Sequence, residues 1–378
     1  MDKISFFSAG YRDGRVHIGG KSYPAGTFAA HLLNQFYEND TAARIVVFTT
    51  DNWQLEKMLR LGYLNIADYV KAGERMVNIF TALPWLKPFD MLDTDDERNR
   101  IEALFTKENG NIISEYFFRR AKIGEIDTAQ VMFHHLPKEY DKDFFTRAEK
   151  LLAEVNAALN FYDALSDDIR NSFNRLKTFA SRVDEADRFD EEHLVPIALE
   201  IFGSVPFPVT TEYVPILKST RSKTETLARR LYFDSYYSFV ITDFFEGLHH
   251  GHYPRQCGIC KKYFLMTSAA RQKYCTGYAP FKLKGKAITC RKYAARINRK
   301  EYADANPIIR LYKNRCSALR MERKRGKHDD ILTNAALAVA KERMQRAKAD
   351  PDYANGQYEA DMLREELYAE ADRRLNGK

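Results

Sequence analysis

The feature that most constrains the fold of this chain is a cluster of cysteines. Four of its five cysteines, Cys257, Cys260, Cys275 and Cys290, lie within 34 consecutive residues of a 378-residue sequence. In a reducing compartment, clustered cysteines bind a metal ion more often than they form disulfides. The spacing therefore predicts a metal centre, provided that the protein stays in such a compartment.

The N-terminus and the hydropathy of the chain bear on that compartment. The first residues, MDKISFFSAG, contain no long apolar segment and no small-residue cleavage site, which argues against a secretory signal. No stretch of about 18 apolar residues occurs, so no membrane-spanning helix is expected. We therefore expect a cytoplasmic protein with reduced thiols and no membrane partner.

The cysteine spacing favours one structural zinc ion. Cys257 and Cys260 form a C-x2-C turn, which can direct two thiolates to one point. There are 14 residues between Cys260 and Cys275, and another 14 between Cys275 and Cys290. Cys290 begins the helical segment CRKYAARINRK, where the positive end of a helix stabilises a thiolate. Four thiolates complete the tetrahedral coordination of zinc and leave no open position for a catalytic water. We predict Zn²⁺ bound by Cys257, Cys260, Cys275 and Cys290.

Two alternatives stay open for these residues. The four cysteines can be separate buried thiols, or a histidine from the HHGH segment, His249, His250 or His252, can replace Cys290 as the fourth ligand. Cys316, inside a predicted helix, is most simply a core residue.

The segment CGICKKYFLMTSAARQKYC, followed by CRKYAARINRK, resembles the C-terminal zinc finger of CGNR type found in bacterial stress-related regulators. It shares the C-x2-C, the following Phe, the Arg before an aromatic–Cys pair, and a last cysteine that opens a basic helix. The helices on either side of the finger are also similar to a bacterial family of uncharacterised proteins of unknown function. The resemblance covers about residues 230–300 and implies a treble-clef-like finger with a role in DNA binding.

The chain departs from the finger pattern between its last two cysteines. The CGNR pattern has only a few residues there and Gly-Asn-Arg after the last cysteine. Here TGYAPFKLKGKAIT intervenes, and Arg-Lys-Tyr follows Cys290. The insertion can be a loop of the finger.

Basic residues are concentrated around the cysteines. Between Arg255 and Lys327 the chain carries 21 Lys and Arg against three acidic residues, a net +18, so the rest carries −11 of the overall +7. Such clusters bind phosphate backbones with release of counterions. We therefore predict DNA or RNA as a partner. The predicted contact residues are Lys282, Lys284, Lys286, Arg291, Lys292, Arg296, Arg299 and Lys300.

The three lysines of the insertion alternate, which predicts that Lys282, Lys284 and Lys286 lie on one side of an extended strand. The other contact residues follow on the helix. Aromatic residues between them can stack on bases if the nucleic acid is single-stranded. These aromatic residues are Tyr274, Tyr278, Phe281 and Tyr293.

Other functions are compatible with the same residues. In a protein-interaction or scaffold protein, zinc only braces the fold, and the basic residues pair with the acidic N-terminal part or stay solvated. An enzyme would need a site in the first 220 residues, but no catalytic motif occurs there. The segment HIGGKSY has Arg15 where a phosphate-binding loop needs glycine. Asp243, Glu246 and His249, at i, i+3 and i+6, are at most a weak acid–base candidate.

The periodicity of apolar residues predicts a mainly α fold with a small N-terminal β portion, an α+β fold. We expect a mostly helical domain over 1–220 that starts with a β-hairpin and a buried connecting helix over 224–252. The zinc-finger domain follows over 253–300. A helical tail, basic at its start, occupies 306–378.

Finer predictions concern single elements. Residues 3–9 and 15–23 suggest a hairpin with Gly19-Gly20 as a kink, and ARIVVFTT, 43–50, is a further candidate strand. The segment 144–165 is the clearest amphipathic helix. The tail is predicted to contain three helices, over 306–327, 329–348 and 356–375.

Overall fold

A computed structural model of the chain describes residues 2–50, 52–124, 141–185, 190–203, 208–217, 223–267 and 272–377. Its contacts divide the chain into two compact units, Met1–Cys275 and Thr276–Lys378. The structure is mainly helical with a small antiparallel sheet that begins at the N-terminus, so the α+β prediction is confirmed. The predicted four-part division of the chain stays a prediction.

The first unit contains a five-stranded antiparallel sheet in the order β3-β2-β1-β5-β4. The strands are β1 Phe7–Arg12, β2 Arg15–Ile18, β3 Lys21–Pro24, β4 Thr210–Leu217 and β5 Glu225–Phe233. A second, two-stranded ladder pairs β6 Tyr253–Gln256 with β7 Tyr263–Met266.

The N-terminal strands follow from alternation and turn residues. In β1, Phe7, Ala9 and Tyr11 are buried on one face, and the intervening residues face outward. Asp13-Gly14 and Gly19-Gly20 have positive φ, as two-residue hairpin turns require. Gly19-Gly20 is thus the turn between β2 and β3 rather than a kink within one strand.

The helices of the first unit surround its core. They are α1 Thr27–Gln35, α2 Thr41–Thr50, α3 Trp53–Leu61, α4 Ile66–Ala82, α5 Asp95–Leu104, α6 Lys107–Gly124, α7 Lys142–Glu185, α8 Glu191–Phe202 and α9 Tyr236–His249. Short 3-10 helices occupy Glu38–Asp40, Leu83–Trp85 and Phe89–Met91. The predicted helix over 144–165 lies within α7, whose 44 residues contact α1, α2, α5, α6, α8, α9 and β6.

Two predictions for this unit are wrong. Residues 43–50 belong to α2, because Ala42 and Ile45, three apart, are both buried where α2 contacts α4 and α7. Tertiary packing overrides the strand preference of β-branched residues there. The helix predicted over 224–252 begins only at Tyr236, because 225–233 form β5, which pairs with both β1 and β4.

The segment 202–220 contains β4. Its residues 204–207 and 218–220 lie outside the described part of the chain. No helix among the described residues is both long and apolar enough to cross a membrane.

The start of α1 is held by a buried carboxylate of α9. Gly26, the N-cap residue of α1, has no side chain to cap it. Asp243, fully buried, accepts hydrogen bonds from the backbone N–H groups of Gly26 (3.0 Å), Phe28 (2.8 Å) and Ala29 (3.3 Å). Burial raises the pKa of Asp243 to about 7, while those three donors favour its charged form. A side chain thus replaces the missing local cap.

The second unit has a core of its own. It consists of β8 Tyr278–Leu283, β9 Lys286–Thr289, α10 Cys290–Ala305, α11 Pro307–Lys324, α12 Asp330–Ala349, α13 Pro351–Asn355, α14 Tyr358–Asp361 and α15 Arg364–Leu375. Leu319, Val339, Met362 and Leu367 are buried in that core together with Cys316, as predicted for a core cysteine.

The tail helices match the sequence pattern with one difference. The helices predicted over 306–327 and 329–348 correspond to α11 and α12. The helix predicted over 356–375 is instead split between α14 and α15. Leu363 has extended backbone angles there, and the neighbouring Met362 is buried in the core.

The cap on α1 gives a stability prediction. Asp243→Ala leaves three N–H groups at a buried helix start without their acceptor, so the free energy of unfolding should fall by about 3 kcal/mol. Asp243→Asn, which keeps one acceptor oxygen, should cost less. Urea unfolding monitored by circular dichroism measures both changes.

The exposed Asp234→Asn is the matched control and should change the free energy of unfolding by less than about 0.5 kcal/mol. Equal stability of Asp243→Ala and Asp234→Asn would contradict this role of Asp243.

Candidate metal centre

A tight turn between β6 and β7 carries the first two cysteines. The N–H of Cys257 donates to the carbonyl of Lys262 at 2.9 Å, and the N–H of Lys261 donates back to the carbonyl of Cys257 at 3.0 Å. Lys261 takes a positive φ of 61°, which closes the turn. The C-x2-C turn expected from the sequence is therefore present.

Cys275 meets this turn through its backbone and its thiol. Its N–H donates to Sγ of Cys257 at 3.4 Å, and its own Sγ lies 3.6 Å from Sγ of Cys260. The N–H of Gly258 donates to the carbonyl of Lys273 at 3.1 Å, which holds the returning chain in place. A sulfur–sulfur distance of 3.6 Å is far longer than a disulfide bond.

Cys290 is the first residue of α10 and is fully buried. Its N–H donates to the carbonyl of Gly277 at 2.9 Å, and Thr289 caps the helix by accepting from the N–H of Lys292. The thiols of Cys257, Cys260, Cys275 and Cys290 all lie within 4.8 Å of one another. Four sulfurs at about 2.3 Å from one zinc ion are separated by about 3.8 Å, so this set fits zinc.

The surroundings of Cys257 favour a thiolate. Burial alone would raise the pKa of Cys257. Backbone N–H groups of Cys260, Cys275 and Ile259 donate to its sulfur, however, and they bring that pKa down to about 7. Donors of this kind stabilise the charged form that a metal needs.

The histidines that could replace a cysteine lie elsewhere. Nδ1 of His252 is 3.1 Å from the carbonyl oxygen of Ala25, and His249 lies 3.6 Å from a carboxylate oxygen of Glu191. Among the described residues, no histidine nitrogen joins the four thiols. The other candidate ligand set, Asp190, Glu192 and His193, is exposed at the start of α8.

The weak acid–base candidate at the end of α9 does not form a site. Asp243 caps α1, Glu246 pairs with Arg229, and His249 faces Glu191. The three side chains thus have separate partners.

Two long-range contacts brace the turn against the core of the first unit. Arg255, only 5% exposed, donates to Asp184 of α7 at 3.1 Å and to the carbonyl of Gln272 at 3.3 Å. Asn34 of α1 donates to the carbonyl of Tyr263 at 2.8 Å and accepts from its N–H at 2.7 Å. Sequence reasoning missed both. The sequence indicates Arg255 only as part of the basic segment, although it lies two residues before Cys257.

The insertion between the last two cysteines is a hairpin. Strands β8 and β9 join through Lys284-Gly285, both with positive φ. Lys282 pairs with Ala287, and Leu283 pairs with Lys286. Because paired residues share a face and neighbours do not, Lys282 and Lys286 lie on opposite faces and Lys284 lies at the tip. The prediction that these three lysines line one side of a strand is wrong, because the chain reverses at Gly285.

The basic residues of α10 lie on its exposed side. Lys292, Arg296 and Arg299 follow the spacing i, i+4 and i+7, opposite the buried Cys290 and Ala294. We call these three residues the basic stripe. Arg291 and Lys300 are also exposed.

Most of the predicted contact residues have no acidic partner. Among the residues that the structure describes, no carboxylate forms an ion pair with the basic stripe, with Lys300 or with the three hairpin lysines, whereas Arg310 pairs with Asp304. The aromatic residues differ in exposure. Phe281 and Tyr293 pack together at 4.4 Å between ring centroids, whereas Tyr278 is 70% exposed.

Comparison with known proteins adds one match. Residues 204–374 match the model of a family of unknown function (DUF6076). This range contains all four clustered cysteines and agrees with the expected resemblance to an uncharacterised family. No curated protein and no solved structure matches the chain.

The cluster gives a prediction for metal content. Cys260→Ser removes one of four sulfurs, so the purified variant should hold far less zinc than the wild-type protein. Native mass spectrometry and elemental analysis measure the ratio of metal to chain. Cys316→Ala is the matched control, because it removes a buried cysteine outside the cluster, and it should keep its metal. Equal zinc in all three proteins would contradict the four-cysteine site.

Proposed function

We propose that the four clustered thiols bind one structural Zn²⁺ in a treble-clef-like finger. A turn with two thiols, a hairpin, and a helix that begins with the last thiol follow one another along the chain. This order supports the resemblance to CGNR-type fingers. A bound ion would join the turn that carries Cys257 and Cys260 to Cys275 and to the first residue of α10. In this proposal the protein works in the reducing cytoplasm, where its thiols are available to metal.

We further propose that this finger is a nucleic-acid-binding module. The observation that carries the proposal is the basic stripe, three exposed cations on the helix that the last metal ligand begins. Cations that are not neutralised by carboxylates bind phosphates and release counterions. Lys282, Lys284 and Lys286 add exposed cations on the two faces and at the tip of the hairpin, and the exposed Tyr278 offers a ring for stacking on a base.

A scaffold protein with a purely structural metal site is the second candidate. It is favoured by the ion pair between the buried Arg255 and the exposed Asp184 of α7, which ties the turn that carries Cys257 and Cys260 to the rest of the first unit. In that case the zinc braces the fold, and the partner is a protein.

Salt-dependent binding separates the two functions. Fluorescence anisotropy with labelled double- and single-stranded DNA and RNA should give an affinity that falls steeply with salt. The triple variant Lys292→Gln, Arg296→Gln and Arg299→Gln should bind at least about tenfold more weakly. The slope of the logarithm of its association constant against the logarithm of salt concentration should be smaller in magnitude by about 3.

The control variant removes the same charge from exposed lysines elsewhere, Lys71→Gln, Lys341→Gln and Lys348→Gln. It should bind almost as well as the wild-type protein. If the zinc-loaded protein binds none of the probes at low salt, the nucleic-acid proposal fails and the scaffold function is favoured.

A further inference from the structure

The outward face of the five-stranded sheet forms a cavity of ≈970 Å³ within the first unit. Its floor is the outward side of β1, where the half-buried Ser8 and the buried Gly10 alternate with the inward-facing Phe7, Ala9 and Tyr11. Concave sites of several hundred Å³ are the usual size for small organic ligands.

Gly10 leaves the middle of this floor without a side chain. Its φ is not positive, and a Cβ atom there would meet only Cβ and the carbonyl oxygen of His17, at 3.6 and 3.8 Å. Neither backbone conformation nor packing in the described residues thus demands glycine at this position. Glycine inside a strand often marks the close approach of a ligand, and here it keeps the floor open.

One side of the cavity is basic and held in place. Arg15 donates from Nε to Oγ of Ser22 at 2.8 Å and from Nη2 to the carbonyl of Ser22 at 3.1 Å. Arg12 contacts Asp13 at 2.8 Å through Nε, which leaves the other guanidinium nitrogens available. Lys21 and Arg230 complete this side of the cavity.

The acidic residues at the cavity are already engaged. Asp2 accepts hydrogen bonds from the N–H and the hydroxyl of Ser8, and Asp13 pairs with Arg12. Burial, together with the nearby Arg15 and Arg12, lowers the pKa of His17 and so disfavours a positive charge on its ring. The remaining positive charge comes mainly from Arg15 and Lys21, because Arg12 pairs with Asp13 and Arg230 pairs with Glu212 at 3.2 Å.

The opposite side of the cavity is apolar. It is formed by Val214, Ile216 and Leu217 of the edge strand β4, and Leu217 is about half exposed. A ligand that fits both sides has an anionic headgroup and an apolar body. Guanidinium groups match phosphate and carboxylate headgroups with paired hydrogen bonds.

We propose that this cavity binds a small organic anion, with a phosphate or carboxylate headgroup at Arg12 and Arg15 and an apolar body against β4. The site is independent of the metal centre and of the basic stripe. It would give the first unit a ligand of its own.

Isothermal titration calorimetry of the full zinc-loaded chain tests the site with three anions. Phenyl phosphate and benzoate carry a phosphate and a carboxylate headgroup, respectively, on the same apolar phenyl ring. Inorganic phosphate has the headgroup alone. We expect one of the two aromatic anions to bind at one site per chain and, if it is phenyl phosphate, more tightly than inorganic phosphate. Arg15→Gln and Gly10→Val should each weaken that binding at least tenfold. Arg15→Gln removes the guanidinium group that would bind the headgroup. Gly10→Val places a side chain in the cavity, and valine is a residue that β-strands accommodate well.

The controls separate this site from other basic surfaces. Arg60→Gln, at an exposed position of α3, and the combined Lys282→Ala, Lys284→Ala and Lys286→Ala should leave binding unchanged. Gly10→Ala adds a smaller side chain and should weaken binding less than Gly10→Val. It provides the test at this position if Gly10→Val fails to fold. Absence of binding by either aromatic anion at millimolar concentration would overturn the proposal, and so would full binding by Arg15→Gln.

Discussion

The carboxylate of Asp243 is the contact on which the first unit depends most. It replaces the local cap that Gly26 cannot supply, and so it fixes the start of α1 on α9. The two helices also approach closely at Gly247, where a Cβ atom would lie 2.8 Å from the carbonyl oxygen of Ala25. Asp243 and Gly247, one helical turn apart on α9, thus fix the position of α1 against α9.

The turn that carries Cys257 and Cys260 depends on this arrangement. α9 leads directly into β6, and α1 presents Asn34 to the backbone of Tyr263 on β7. Arg255, itself buried, adds an ion pair with the exposed Asp184 of α7. The turn that carries Cys257 and Cys260 is therefore held by helices that are distant in sequence, and its thiols need little rearrangement to receive a metal. Such preorganisation raises metal affinity, because the fold rather than the ion orders the ligands.

Sequence reasoning found the thiols because ligand spacing is a local pattern. It also found most helices and the β start of the chain, where periodicity is strong. It missed β5, since residues 225–233 become a strand only through pairing with β1 and β4. It placed the hairpin lysines wrongly, because the turn at Lys284-Gly285 reverses the chain between them. The contacts of Asp243 with Gly26 and of Asn34 with Tyr263 span 217 and 229 residues, and no local pattern signals such pairs.

The proposal that four sulfurs share one zinc ion is tested directly by X-ray absorption spectroscopy at the zinc edge on the purified 378-residue protein. We expect one zinc per chain with four sulfur neighbours at about 2.3 Å and no nitrogen neighbour. A shell that contains nitrogen, or protein that folds and stays free of metal in the presence of zinc, would contradict it.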